Sequence, residues 1–224
     1  MPQYLTLTLT VALLCLALSA CSQSGDDGQG RSGNATQLYR LTGTVAVGRP
    51  AAWAEVCIEA DCSRANQDGV YRLLSERQRS ALMQATLENA DQSVTELAGR
   101  YRHEPEQTVA LVNVNPTTHA LLDSWSQYQL GQTLAGCTTS AGCRDELING
   151  FTQDRQQAAQ QQLFIWLSPE WQTARNPFSD PYLADPELDW HDDLHDHVQL
   201  EATPPGLNAL DNEGDTLDTL DYAT

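Results

Sequence analysis

Asp189-Trp190-His191-Asp192-Asp193-Leu194-His195-Asp196-His197 is the densest run of side chains suited to metal or acid–base chemistry. Read as a helix, it puts His191 and His195 one turn apart on one face, the spacing that two imidazoles need to share a cation. Asp192 stands at the edge of that face and could lend an oxygen. His197, two residues on, falls well round the helix and cannot complete the same site. The run is not the HExxH of zinc hydrolases, because no Glu base occupies the turn. The same stretch also suits an amphipathic helix that buries Trp190, Leu194 and Val198 and leaves an acidic face in water, and this second reading is the one we favour. Elsewhere there is no G-x-S-x-G, no glycine-rich phosphate loop and no Cys–His pair in a supporting context. Acidic pairs such as Glu104/Glu106 and Asp145/Glu146 read as solvated surface.

The N-terminus carries a different chemistry. Leu5 to Ala20 is almost wholly apolar or Thr, long enough for the apolar stretch of a secretory signal and short for a membrane span. It ends in Leu18-Ser19-Ala20-Cys21, just where the sequence turns to Ser22-Gln23-Ser24-Gly25-Asp26-Asp27-Gly28. This junction resembles the lipobox of bacterial lipoproteins. The resemblance implies that residues 1–20 are a signal peptide cut before Cys21, whose thiol and new amine then carry acyl chains. Such chains gain about 0.8 kcal/mol per buried methylene and together anchor a protein without a spanning helix. Ser22 rather than Asp after the Cys is similar to the class sorted to the outer membrane.

With Cys15 lost in the signal and Cys21 lipidated, Cys57, Cys62, Cys137 and Cys143 remain. Their C-x4-C and C-x5-C spacings favour two local disulfides, Cys57–Cys62 and Cys137–Cys143, among the three pairings that four cysteines allow. A four-thiolate metal site would ordinarily use C-x2-C, and an oxidising envelope compartment favours disulfides.

Positioning any such residues needs a folded body, and structure starts near Leu38, after a polar tether over residues 21–36. Tyr39, Leu41, Gly43, Val45 and Val47 alternate with Arg40, Thr42 and Thr44, the pattern of a half-buried strand. Gly48-Arg49-Pro50 supplies a turn. Ala54, Val56 and Ile58 then share one face, with Trp53, Glu55, Cys57 and Glu59 on the other. Asn66-Gln67-Asp68-Gly69 is a turn signal leading into a strand over Val70 to Leu74. Between Ser75 and Asn89 helix propensity competes with a strand over Ala81 to Leu87, and the surrounding short strands favour the strand. Val109 to Val114 reads as another strand.

Gly43 to Ala51, Ala54-Glu55-Val56-Cys57 and Asp68-Gly69-Val70-Tyr71 together resemble the opening of a carboxypeptidase-regulatory-like (transthyretin-like) β-sandwich, a module found in bacterial envelope lipoproteins. Val112-Asn113-Val114-Asn115-Pro116-Thr117-Thr118 resembles the segment that closes such a sandwich and leads into a helical part. The resemblance covers roughly residues 38 to 123 and implies a fold rather than a reaction. The loop between Cys57 and Cys62 is shorter than in that family, so no cation site is implied there.

After Pro116 the period becomes helical. Thr117 or Thr118 is the expected cap, followed by Leu121, Trp125 and Tyr128 at helical spacing. A single longer helix is expected from about Arg144 to Leu167, and Ser168-Pro169-Glu170 and Asp185-Pro186-Glu187 each suit the start of a short helix. Leu207 to Leu210, the turn Asp211-Asn212-Glu213-Gly214 and Asp215 to Leu220 read as a β-hairpin, with a solvated acidic tail as the alternative. Trp53 faces away from Val56 and Ile58; we expect the helical part to cover it, the alternative being an exposed binding aromatic.

The chain has 12 Lys plus Arg, all of them Arg, and 30 acidic residues, for a net charge of −18. Thirteen of the acidic residues follow residue 179, where there is no Arg at all. That balance excludes nucleic acid as a partner and argues against docking on anionic lipid through a basic patch. The expected architecture is therefore α+β: signal 1–20, acylated tether 21–36, a small antiparallel β-sandwich over 37–114, a helical segment over 115–200 and a C-terminal hairpin or tail over 201–224. The expected function is that of a non-catalytic binding or structural module with no cofactor, lipid-anchored to the outer membrane through Cys21, whose partner is an envelope protein or a glycan. A divalent-cation binder using His191, His195 and Asp192 is the alternative, and a metal-dependent hydrolase comes third.

Overall fold

The computed structural model describes residues 37–166, 176–184, 190–204 and 206–221. The expected signal and tether, and the two Pro-led helix starts at Ser168 and Asp185, lie outside these residues. The fold is α+β.

Seven strands build the first half: β1 (Tyr39–Thr44), β2 (Glu55–Ile58), β3 (Asp61–Arg64), β4 (Val70–Ser75), β5 (Ala81–Glu88), β6 (Val94–Tyr101) and β7 (Val109–Leu111). They form two sheets, β4-β1-β7 and β3-β2-β5-β6, in a sandwich-like arrangement. All pairings are antiparallel except β1 with β7, which is parallel. The alternation in β1 does what a half-buried strand must: Tyr39 and Leu41 go inward, and Arg40 stays in water. Leu41 meets Val56, Ile58, Tyr71, Leu73, Met83 and Val114 in a buried core between the sheets. A fully buried aliphatic side chain of this kind contributes about 1.5–3 kcal/mol. The two turns read from sequence are present, with Gly48 at φ 77° and Gly69 at φ 72°, and the Asn66 side chain accepts hydrogen bonds from the N–H groups of Asp68 and Val70.

The competition between Ser75 and Asn89 is settled by pairing, since β5 lies between β2 and β6. β5 and β6 are also the strands that join the two halves. Met83, Ala85, Leu97 and Tyr101 enter the sandwich core. Leu82 and Ala98, one residue out of step, enter a second core under the helices. Both faces of this part of the sheet are therefore covered, which is why β6 shows no polar–apolar alternation.

Among the described residues five α-helices follow: α1 (Pro116–Trp125), α2 (Leu134–Thr139), α3 (Ala141–Gly150), α4 (Gln153–Trp166) and α5 (Trp190–His197), with a π-helical stretch over Ser126–Leu130 directly after α1. The cap of α1 is Asn115, not Thr117 or Thr118. Its side chain accepts the Thr118 N–H at 2.9 Å and its own N–H reaches the Thr118 hydroxyl at 3.0 Å. This is a reciprocal capping box with Pro116 at the first helical position. The expected single helix from Arg144 to Leu167 is two. Phe151 leaves helical geometry, with ψ 69°, and drops fully buried into the second core. Thr152 restarts the chain by accepting the Gln156 N–H with its carbonyl.

The C-terminal hairpin is present and has one strand more than expected. β8 (Gln199–Thr203), β9 (Gly206–Leu210) and β10 (Thr216–Asp221) form an antiparallel meander in the order β10-β9-β8. Leu207 and Ala209 bury into the second core, and Ser124 of α1 donates to the Gly206 carbonyl at 2.8 Å.

Candidate functional site

Trp190–His197 folds into α5 much as an amphipathic helix should, with Leu194 fully buried. His195 turns inward from this helix: its Nε2 lies 3.2 Å from the Thr117 hydroxyl of α1. A Cβ on Gly48 would strike Asp196 and the His195 backbone, so the Gly48 turn is the close neighbour of this helix end. His197 is exposed and reaches back along its own helix to the Asp193 carbonyl at 2.9 Å. The side chains of His191 and Asp192 lie outside the described residues. Among the described residues no three His, Cys, Asp or Glu side chains come together as a metal site requires.

Both local disulfides form. Cys57 and Cys62 sit directly opposite one another on β2 and β3. Cys137 and Cys143 tie the end of α2 to the first turn of α3 and are both buried. Trp53 departs from expectation. It lies in the turn before β2 rather than on a strand, it is 65% exposed, and none of the described helices covers it. Its φ of 66° is unusual for a residue with a Cβ. The turn holding it opens onto a shallow surface hollow of about 460 Å³ beside Glu55, Arg64 and Thr86.

The most unusual ionisable group is one that sequence reasoning missed. Arg100 stands on β6 with Ala98, on the face turned toward the helices, and only 9% of its surface is exposed. A guanidinium has five N–H donors. Here one of them is used: Nη2 reaches the Ile148 carbonyl of α3 at 3.3 Å. Nε is buried without a partner, and no carboxylate among the described residues pairs with the group. Burial and the neighbouring Arg102 guanidinium push its pKa down to about 10, so it stays charged at neutral pH. A buried cation costs several kcal/mol unless something compensates it.

Arg100 forms one wall of a cavity of about 310 Å³. β6 and the loop after it supply Arg100, Arg102 and Glu104; β7 supplies Ala110 and Leu111; the start of α4 supplies Gln153 and Gln156; the turn at 176–179 supplies Asn176 and Phe178. That turn is firmly held. Asn113 donates its backbone N–H to the Phe178 carbonyl at 2.7 Å and its side-chain amide to the Asp180 carbonyl at 2.6 Å. Asn115 reaches the Pro177 carbonyl at 3.2 Å. On the cavity side, the buried Gln156 amide donates to Asn176 Oδ1 at 3.2 Å. Arg102 is half-exposed and lies 3.7 Å from Glu104. Ser179 also lines it, so among the described residues the cavity offers charge, amide and hydroxyl hydrogen bonds and an apolar wall. Arg100 in Gly99-Arg100-Tyr101-Arg102 looks solvated in sequence, because nothing there reveals that a helix closes over it.

Compared with protein families, with curated proteins and with solved structures, the chain matches none. Among the described residues no helix is long and apolar enough to cross a membrane.

Proposed function

We propose that this chain is a lipid-anchored protein of the bacterial cell envelope and serves as a non-catalytic binding module. Acyl chains on Cys21 hold it at the outer membrane. Residues 22–36, polar in sequence, would link that anchor to the body. The body, which resembles a carboxypeptidase-regulatory-like sandwich, then displays loops and clefts to a protein or glycan of the envelope. The observation that carries this reading is the use of the cysteines. Cys57, Cys62, Cys137 and Cys143 are consumed in two disulfides. That leaves Cys21, at the lipobox-like junction, as the one cysteine beyond the expected signal available for acylation. The exposed Trp53 adds support, since an aromatic held at positive φ in water is retained at a cost to the free protein.

In-cell crosslinking of the full-length chain, read by mass spectrometry, tests the binding role. Recurrent capture of one envelope component is expected, lost with Cys21→Ser and reduced with Trp53→Gly, a change that relieves the backbone at that turn. Undiminished capture by Cys21→Ser would contradict the tethered reading.

A further inference from the structure

We propose that the cleft against Arg100 is a binding site for the carboxylate of a small organic acid. This goes beyond the envelope reading and does not depend on lipidation. The first argument is the incomplete coordination of Arg100: buried on β6, it makes one hydrogen bond to a backbone carbonyl and none to a carboxylate among the described residues. A charge placed that way is a liability to the empty protein, and a bound anion would remove it. Such a conflict between local energetics and the fold is what a ligand site leaves behind.

The second argument is shape and charge. The guanidinium fork is planar and matches a carboxylate with two parallel hydrogen bonds, which an ammonium cannot do. Arg102 lines the same cavity but is drawn toward Glu104. Among the described lining residues two arginines and one glutamate leave one net positive charge, which suits a monoanion better than a phosphate dianion. The third argument is the rest of the lining. Phe178 and Leu111 give an apolar wall, Gln153 and Gln156 give amide groups, and about 310 Å³ accommodates a carboxylate on a compact apolar body.

The test is calorimetric and melting titration of the full-length chain with sodium benzoate, sodium acetate and inorganic phosphate at pH 7 and constant ionic strength. Saturable benzoate binding is expected, tighter than acetate, with no saturation by phosphate. Arg100→Lys, which keeps the charge and loses the fork, should weaken benzoate at least tenfold, on the scale of one charge-assisted hydrogen bond. Glu104→Gln should tighten it by removing the competing carboxylate. Ligand-free Arg100→Met should melt no lower than the wild type, because it deletes an uncompensated buried charge. Four results would overturn the proposal: no saturable benzoate binding by the wild type, unchanged binding in folded Arg100→Lys, phosphate bound in preference to benzoate, or a large fall in the melting temperature of Arg100→Met, which would mark Arg100 as a structural strut.

Discussion

Tyr71 and Gly43 converge on one carbonyl. The fully buried Tyr71 hydroxyl donates to the Val112 oxygen at 2.6 Å, and a Cβ on Gly43 would land on that same oxygen. Burial raises the Tyr71 pKa and keeps the phenol protonated as a donor. Tyr71→Phe strands a buried acceptor, so it should cost about 1–3 kcal/mol in chemical denaturation; an unchanged midpoint would show that the bond contributes nothing. His119 on α1 gives a prediction for pH. Burial lowers its pKa below the usual 6.5, against the opposing pull of Asp123 and Glu96, and its Nδ1 is buried without a partner. A lowered imidazole pKa contributes stability that is present above the unfolded-state value and is lost as pH falls through the folded-state value. The advantage of wild type over His119→Gln in melting temperature should therefore shrink between about pH 7 and 5. A constant difference would argue against a buried neutral imidazole. Gly48 and Gly69 were legible as turn residues, because glycine in a turn has a local cause, whereas the close approach of Gly43 to Val112 was not. Arg100 and Trp53 were not legible, since the burial of one and the exposure of the other depend on which distant element lies over them.

Among the elements, the short strands and the α1 start were visible because alternation and capping are local signals. β1, β2 and β4 follow their apolar periods, and the cap of α1 is displaced only from Thr117 or Thr118 to Asn115. β6 was invisible because both its faces are buried, and the break at Phe151 because a single aromatic leaves the helix to reach a core that sequence does not show. The helical half also relies on a covalent tie. Cys137–Cys143 joins two helices of 6 and 10 residues, too short to hold themselves in water. Replacing both cysteines by Ser should cost about 2–3 kcal/mol, the value the chain-entropy model assigns to so short a loop. Loss of helical circular dichroism should accompany it. The cleft beside α3 and α4 should then bind benzoate more weakly, because the Ile148 carbonyl that orients Arg100 belongs to α3. Retention of both signals would show that packing alone fixes these helices.

For the whole molecule, the two cores share the β5–β6 pair, so the sandwich and the helices are built on one sheet. A net charge of −18 and a pI near 4.3 set the chain against anionic surfaces. Against that background the two arginines lining the cleft are a local exception, and the acyl anchor we propose would supply attachment that the surface charge would otherwise oppose. Composition made the charge plain from the outset, while the way the helices cover the sheet depended on three-dimensional packing. The anchor is the central claim, and the mass of the mature N-terminal peptide tests it most directly. The account predicts a peptide beginning at Cys21 and heavier by its acyl chains, converted by Cys21→Ser to an unacylated form. A mature chain that begins elsewhere, or a Cys21 recovered with a free thiol, would contradict it.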